Sequence, residues 1–168
     1  DLWNSNATTI NFGGAADDIV IGNISNVAGS TTINHGLTVT GESQFNNRAS
    51  FLHLNNSVTT VNSATGTVAH NTLGSTIFYH NTPLGNFVPN FTNVSTAGDL
   101  VTEVKLIVPQ GGTARVPTSV QVNGVSQTVK WLNGSAPTGN ASKTDVFEFS
   151  LVYSGSTWTV LGKYSFYA

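Results

Sequence analysis

Apolar and polar positions alternate most clearly in the second half of the chain. From Leu100 to Val108, one side carries Leu100, Thr102, Val104, Leu106 and Val108, and the other carries Val101, Glu103, Lys105 and Ile107. A period of two is that of a β-strand with one face buried. Val146 to Tyr153 repeats it, with Phe147, Phe149, Leu151 and Tyr153 on one face. Ser154-Gly155-Ser156 then turns the chain into Thr157 to Gly162, where Trp158 and Val160 share a face. Between these runs lies Val120-Gln121-Val122, Asn123-Gly124, Val125-Ser126-Gln127. Asn-Gly between strands predicts a two-residue type I′ hairpin, because both central residues need positive φ. Asn133-Gly134 repeats that turn chemistry, and Pro137 to Lys143 is a polar loop. The pattern predicts about six to eight strands in an antiparallel, jelly-roll-like β-sandwich over residues 73–168, long enough to bury its own core.

Residues 1–72 read differently. Thr8-Thr9-Ile10-Asn11, Thr31-Thr32-Ile33-Asn34 and Thr59-Thr60-Val61-Asn62 are near-copies of one phrase, spaced by roughly 20–30 residues as in repeat architectures. Short runs such as Asp18 to Gly22, Leu37 to Thr40 and Ser50 to Leu54 lie between turn residues. Strands this short leave many open edges in a single chain, and winding around partner chains removes them. The expectation is a repetitive segment intertwined in a homotrimer. Its unequal repeat spacing argues against identical coils.

Composition agrees with an all-β reading. Charged residues are only 8% of the 168, against 39% hydrophobic and 10% aromatic. Ser, Thr and Asn make up roughly a third, where charge normally carries solubility. Disordered chains are rich in charge and poor in aromatics, so disorder is not expected. The net charge is −2, and the six Lys and Arg are scattered along the sequence, so no nucleic-acid partner is expected. No apolar run approaches a membrane span, and no membrane insertion is expected. With neither Cys nor Met, thiolate chemistry is excluded. The missing initiator Met suggests a processed chain or an excerpt of a longer one.

Candidate chemistry is sparse. No Gly-x-Ser-x-Gly elbow or phosphate-binding loop occurs; Gly13-Gly14 and Gly111-Gly112 read as turn glycines. Carboxylates pair at Asp17-Asp18, Asp99 with Glu103, and Asp145 with Glu148. All read as solvated turn and strand-end acids rather than glycosidase pairs. His35, His53, His70 and His80 have no metal-ligand spacing, but His70-Asn71-Thr72 and His80-Asn81-Thr82 echo each other. In a trimer, one such His per chain could hold an axial metal ion; a strand-end imidazole bonded to Asn or Thr is the plainer reading. No catalytic residue, cofactor or resident metal is assigned. The aromatics from Phe78 to Tyr167 read mainly as core, with exposed Trp or Tyr at a tip suited to sugar rings.

Ala7-Thr8-Thr9-Ile10-Asn11-Phe12-Gly13-Gly14-Ala15-Ala16 and Gly36-Leu37-Thr38-Val39-Thr40-Gly41 resemble the fibrous repeats of phage tail-fibre and baseplate proteins, particularly those of contractile-tailed cyanobacterial phages. Val120 to Ala168 resembles a C-terminal module of such virion proteins, through Thr128-Val129-Lys130-Trp131-Leu132-Asn133-Gly134 and Asp145-Val146-Phe147-Glu148-Phe149. The resemblance implies an elongated homotrimeric virion protein with a trimeric β-helix or β-prism-like stalk over residues 1–72 and a globular tip, assembled in the host cytoplasm and attached to other tail or baseplate proteins. Its tip would bind a host surface glycan or protein without catalysis. The alternatives are a structural fibre or baseplate protein whose C-terminal domain caps and registers the trimer, and a glycan-cleaving tailspike.

Overall fold

The computed structural model describes residues 55–168, within the second of two compact units, Phe51–Ala168. Ten strands run in the order β1 Val58–Asn62, β2 Gly66–Asn71, β3 Ile77–Asn81, β4 Phe87–Thr92, β5 Leu100–Pro109, β6 Val120–Val122, β7 Val125–Gln127, β8 Val129–Trp131, β9 Thr144–Ser154 and β10 Thr157–Tyr167. A single 3₁₀ turn, Leu132–Gly134, follows β8. The larger sheet has the order β1-β3-β5-β9-β10-β8 and the smaller β2-β4-β6-β7. The described residues are all-β, as the alternation predicts.

The sheets are mixed rather than antiparallel. In the larger sheet β1 pairs parallel with β3, β3 with β5, and β8 with β10. In the smaller sheet β2 pairs parallel with β4, and β4 with β6. The chain therefore winds from one sheet to the other and back, laying each coil beside the last. Alternation has the same period in parallel and antiparallel strands, so it cannot distinguish them. Coil length varies, from 19 residues (58 to 77) to 28 (77 to 105) along the larger sheet. The boundary expected after residue 72 falls between β2 and β3, and both β1 and β2 pair across it.

Local chemistry turns each coil. Ser63, Thr82, Asn93 and Asn123 have φ of 55°, 48°, 58° and 49° and directly follow β1, β3, β4 and β6. A left-handed non-glycine residue costs about 1–2 kcal/mol. Asparagines stacked between coils help offset that cost: Asn81 Nδ2 donates to Asn62 Oδ1 at 3.2 Å, and Asn93 Nδ2 to Asn71 Oδ1 at 3.0 Å. The Thr59-Thr60-Val61-Asn62 phrase is β1 itself, and its Asn62 is one end of this stack. The other two copies lie outside the described residues.

After β6 the parallel run ends. Asn123-Gly124 makes the predicted hairpin, with Val122 opposite Val125 and both turn residues at positive φ. Thr128 alone separates β7 in the smaller sheet from β8 in the larger. The long hairpin β9–β10 then covers the free edge of β5. Between the sheets lie Phe78, Phe87, Phe91, Leu106, Val108, Val120, Val122, Phe147, Phe149, Leu151 and Val160, each at most 1% exposed. The predicted inward faces of β5 and β9 hold along their middles. Leu100 is 40% exposed at the start of β5, and Tyr153 near the end of β9 is only half-buried, against Trp158.

Candidate binding groove

The outward face of the larger sheet follows from its register. Ile77 pairs with Lys105, Lys105 with Glu148, and Glu148 with Lys163, so these four form one row across β3, β5, β9 and β10. The next row runs Glu103, Ser150, Leu161, Lys130, across β5, β9, β10 and β8. In each strand these are the positions that alternate with the core, so they face away from it. Together they floor an open groove of about 740 Å³. Asn56 and Thr76 border one side, and Trp131, Leu132 and Asn133 the other.

Charge within the groove is ordered. Lys105 Nζ and Lys163 Nζ each lie 3.1 Å from Glu148, on its two separate oxygens. Hydrogen bonds from these two ammonium groups hold the Glu148 carboxyl below its usual range. Ser150 Oγ donates to Glu103 Oε2 at 2.9 Å. Lys105, Lys130 and Lys163 are three of only six Lys and Arg in the chain. Leu132 and Leu161 supply apolar surface, at 61% and 44% exposure.

The wall beside β8 depends on a missing side chain. Gly162 pairs with Trp131, and a Cβ there would stand 2.6 Å from both Trp131 Cε3 and Val129 Cγ1. Glycine thus lets the edge strand lie flat on β10, with the Trp131 ring edge-on to Phe149 at 5.7 Å. Asn133-Gly134 does not build a second hairpin. Both residues have positive φ, but they form the 3₁₀ turn that raises Leu132 and Asn133 at the groove's border.

The two histidines singled out by their echo are brought together. His70 comes from β2 and His80 from β3, one from each sheet. Both are fully buried, and their Nε2 atoms are 2.8 Å apart. His70 Nδ1 lies 2.9 Å from the Val68 carbonyl, which can only accept, so that nitrogen carries the proton. In the neutral pair His70 Nε2 is then the acceptor and His80 Nε2 the donor. His80 Nδ1 is left as a bare, buried acceptor without a partner. Phe78, Phe87 and Phe91 surround the rings. Desolvation lowers His70 to about 4; desolvation and the neighbouring His70 lower His80 to about 3. Both histidines stand next to last in their strands, as the strand-end reading expects. Their rings, however, are enclosed in the core and bond to each other and to the Val68 carbonyl rather than to Asn or Thr, and neither faces solvent where an axial metal ion would sit. Among the described residues, no group of three or more His, Cys, Asp or Glu is placed to hold a metal ion.

Asp145 is a second correction. It is fully buried rather than solvated. Its carboxylate accepts from Gln110 Nε2 at 2.8 Å, Asn140 N at 3.0 Å, Asn140 Nδ2 at 3.1 Å and Tyr164 OH at 2.7 Å. Burial, followed by the adjacent Asp145, raises the Tyr164 phenol above its usual range. Asp145 and Glu148 are on opposite faces of β9 and form no pair. Asp99 accepts from Gly155 N at the β9–β10 turn, while Glu103 lines the groove. Asp17, Asp18, His35 and His53 lie outside the described residues.

The fold and groove define an all-β protein with a charged, partly apolar furrow on an exposed sheet face. No family model, curated protein or solved structure matches the chain. Sequence reasoning placed Glu103, Lys105 and Glu148 on strands but did not see the groove. The only signal was that the outward positions of β5, β9 and β10 include Glu103, Lys105, Glu148 and Lys163 in a chain with few charges.

Proposed function

We propose that the chain is a tail-fibre component of a virion, recognising a host surface glycan by multivalent, non-catalytic binding within a homotrimer whose repetitive N-terminal residues form its stalk. The groove on the larger sheet is the observation that carries this reading. It is open, with a volume of about 740 Å³, within the range of small-ligand sites, and it rests on a hydrogen-bonded sheet that needs no rearrangement to present its side chains. Its mixture of Lys, Glu and Ser with exposed leucines offers hydrogen bonds to hydroxyls beside apolar surface for ring faces. Cleavage is disfavoured by the same residues. A general acid needs a raised pKa, and the two lysines push Glu148 the other way. Repetition of the groove in a trimer raises avidity even where each site is weak.

A structural role is the second reading, favoured by the way β9–β10 closes the parallel run. In it, the sandwich caps a fibre or baseplate trimer and sets its register. A glycan array of host surface polysaccharides separates the two. Binding lost on Leu132→Asp, with the melting temperature unchanged, supports recognition; no binding at any density favours the cap. Release of reducing sugar would bring back the tailspike.

A further inference from the structure

The geometry points to an anionic saccharide as the groove's ligand, held at its acidic group by Lys130 and Lys163. This rests on the glycan-recognition reading and narrows it. Half of the chain's Lys and Arg residues line one groove, although the protein as a whole carries a net charge of −2. That concentration is invisible in the sequence, where the three lysines stand at 105, 130 and 163. Cross-strand register alone assembles them.

Charge is not spread evenly over the groove. Toward β5, Lys105 and Glu103 offset each other. Toward β8, Lys130 and Lys163 stand with Glu148 as the only carboxylate. Leu161 pairs with Lys130 and Gly162 with Trp131, so Lys130 and Lys163 are diagonal neighbours on the same outward face. Glu148 engages Lys163 at one oxygen and Lys105 at the other, which leaves the local excess at the Lys130 end. A carboxylate or sulfate on a sugar fits there, bonded by two ammonium groups. The sugar ring then lies over Leu161 and against Leu132, both well exposed. Low charge elsewhere on the chain makes this the natural place for an anion to be drawn.

Titration calorimetry of the full chain tests this with three probes: oligogalacturonate, a sulfated oligosaccharide and neutral maltodextrin. The anionic probes should bind and the neutral one should not, with affinity falling as salt rises. Lys130→Gln and Lys163→Gln should each weaken binding about tenfold, or ~1.4 kcal/mol, and flatten its salt dependence. Lys143→Gln, outside the groove, should change neither. Binding of the sulfated probe alone or oligogalacturonate alone would still support an anionic ligand and identify its acid. Maltodextrin binding as tightly as oligogalacturonate, or variants at Lys130 and Lys163 binding like the parent, would overturn the inference while leaving glycan recognition standing. If none of the three probes binds, the inference fails; if the host glycan array is also blank, the recognition reading fails with it.

Discussion

A buried imidazole with no anionic partner is stable only when neutral, and this sets how the protein responds to acid. His70 and His80 titrate in the folded state at about 4 and about 3, against about 6.5 when unfolded. Below pH 6.5 the unfolded chain binds protons that the folded chain refuses, so stability is fully present above that value. It is lost as pH falls toward the folded values. Each group weakens folding by up to ~1.4 kcal/mol per pH unit inside its window. Urea unfolding should therefore give a constant midpoint above pH 7 and a falling one from about 6.5 toward 4. His80→Gln keeps a donor for His70 Nε2 and removes one titration, so the fall should become shallower with little change at pH 7. A midpoint independent of pH would contradict the buried pair. Asp145 is subject to a different constraint. Asp145→Ala removes from a buried position the acceptor shared by Gln110, Asn140 and Tyr164, and should cost about 2–4 kcal/mol in the same measurement. The echo of His70-Asn71-Thr72 and His80-Asn81-Thr82 was legible in the sequence; its meaning was not. Contact across the core depends on β2 and β3 belonging to opposite sheets.

At the scale of elements, the turns are what the residues most directly dictate. Asn123 combines a left-handed backbone with side-chain bonds to Val94 N at 3.1 Å and Val94 O at 2.9 Å. Asn123→Ala loses both bonds and keeps the strained φ, so destabilisation of about 2 kcal/mol is expected by chemical denaturation. Gly162 tests the groove wall. Gly162→Ala forces its methyl group against Trp131 and Val129, displacing β8 at about 1–3 kcal/mol. Tryptophan fluorescence should shift, and saccharide binding should weaken with it. The Asn-Gly hairpin and the alternation of β5, β9 and β10 were readable because each depends on residues close in sequence. Parallel pairing was not, because β1 meets β3 through a detour into the other sheet. The groove was hidden for the same reason: Lys105 and Glu148 are neighbours only because β5 and β9 pair.

For the whole molecule, the decisive fact is that the described core closes within one chain. Both sheets contribute to it, and β9–β10 alone supplies Phe147, Phe149, Leu151 and Val160. Deleting everything after Val120 would strip those side chains and expose Val104, Leu106 and Val108, so it would unfold the unit rather than report on assembly. Removing residues 1–50 is the cleaner cut, because that boundary separates the two compact units. Assembly through the repetitive segment predicts about three times the 17.6 kDa chain mass for the full protein by light scattering. It predicts a single-chain mass for residues 51–168, which should still melt cooperatively because their core needs no partner. A trimer that survives this deletion would move the assembly contacts onto the sandwich, to exposed apolar positions such as Val58, Val101 and Val125, and would favour the capping role. A full chain of single mass would remove the trimer and the avidity that the recognition reading draws from it.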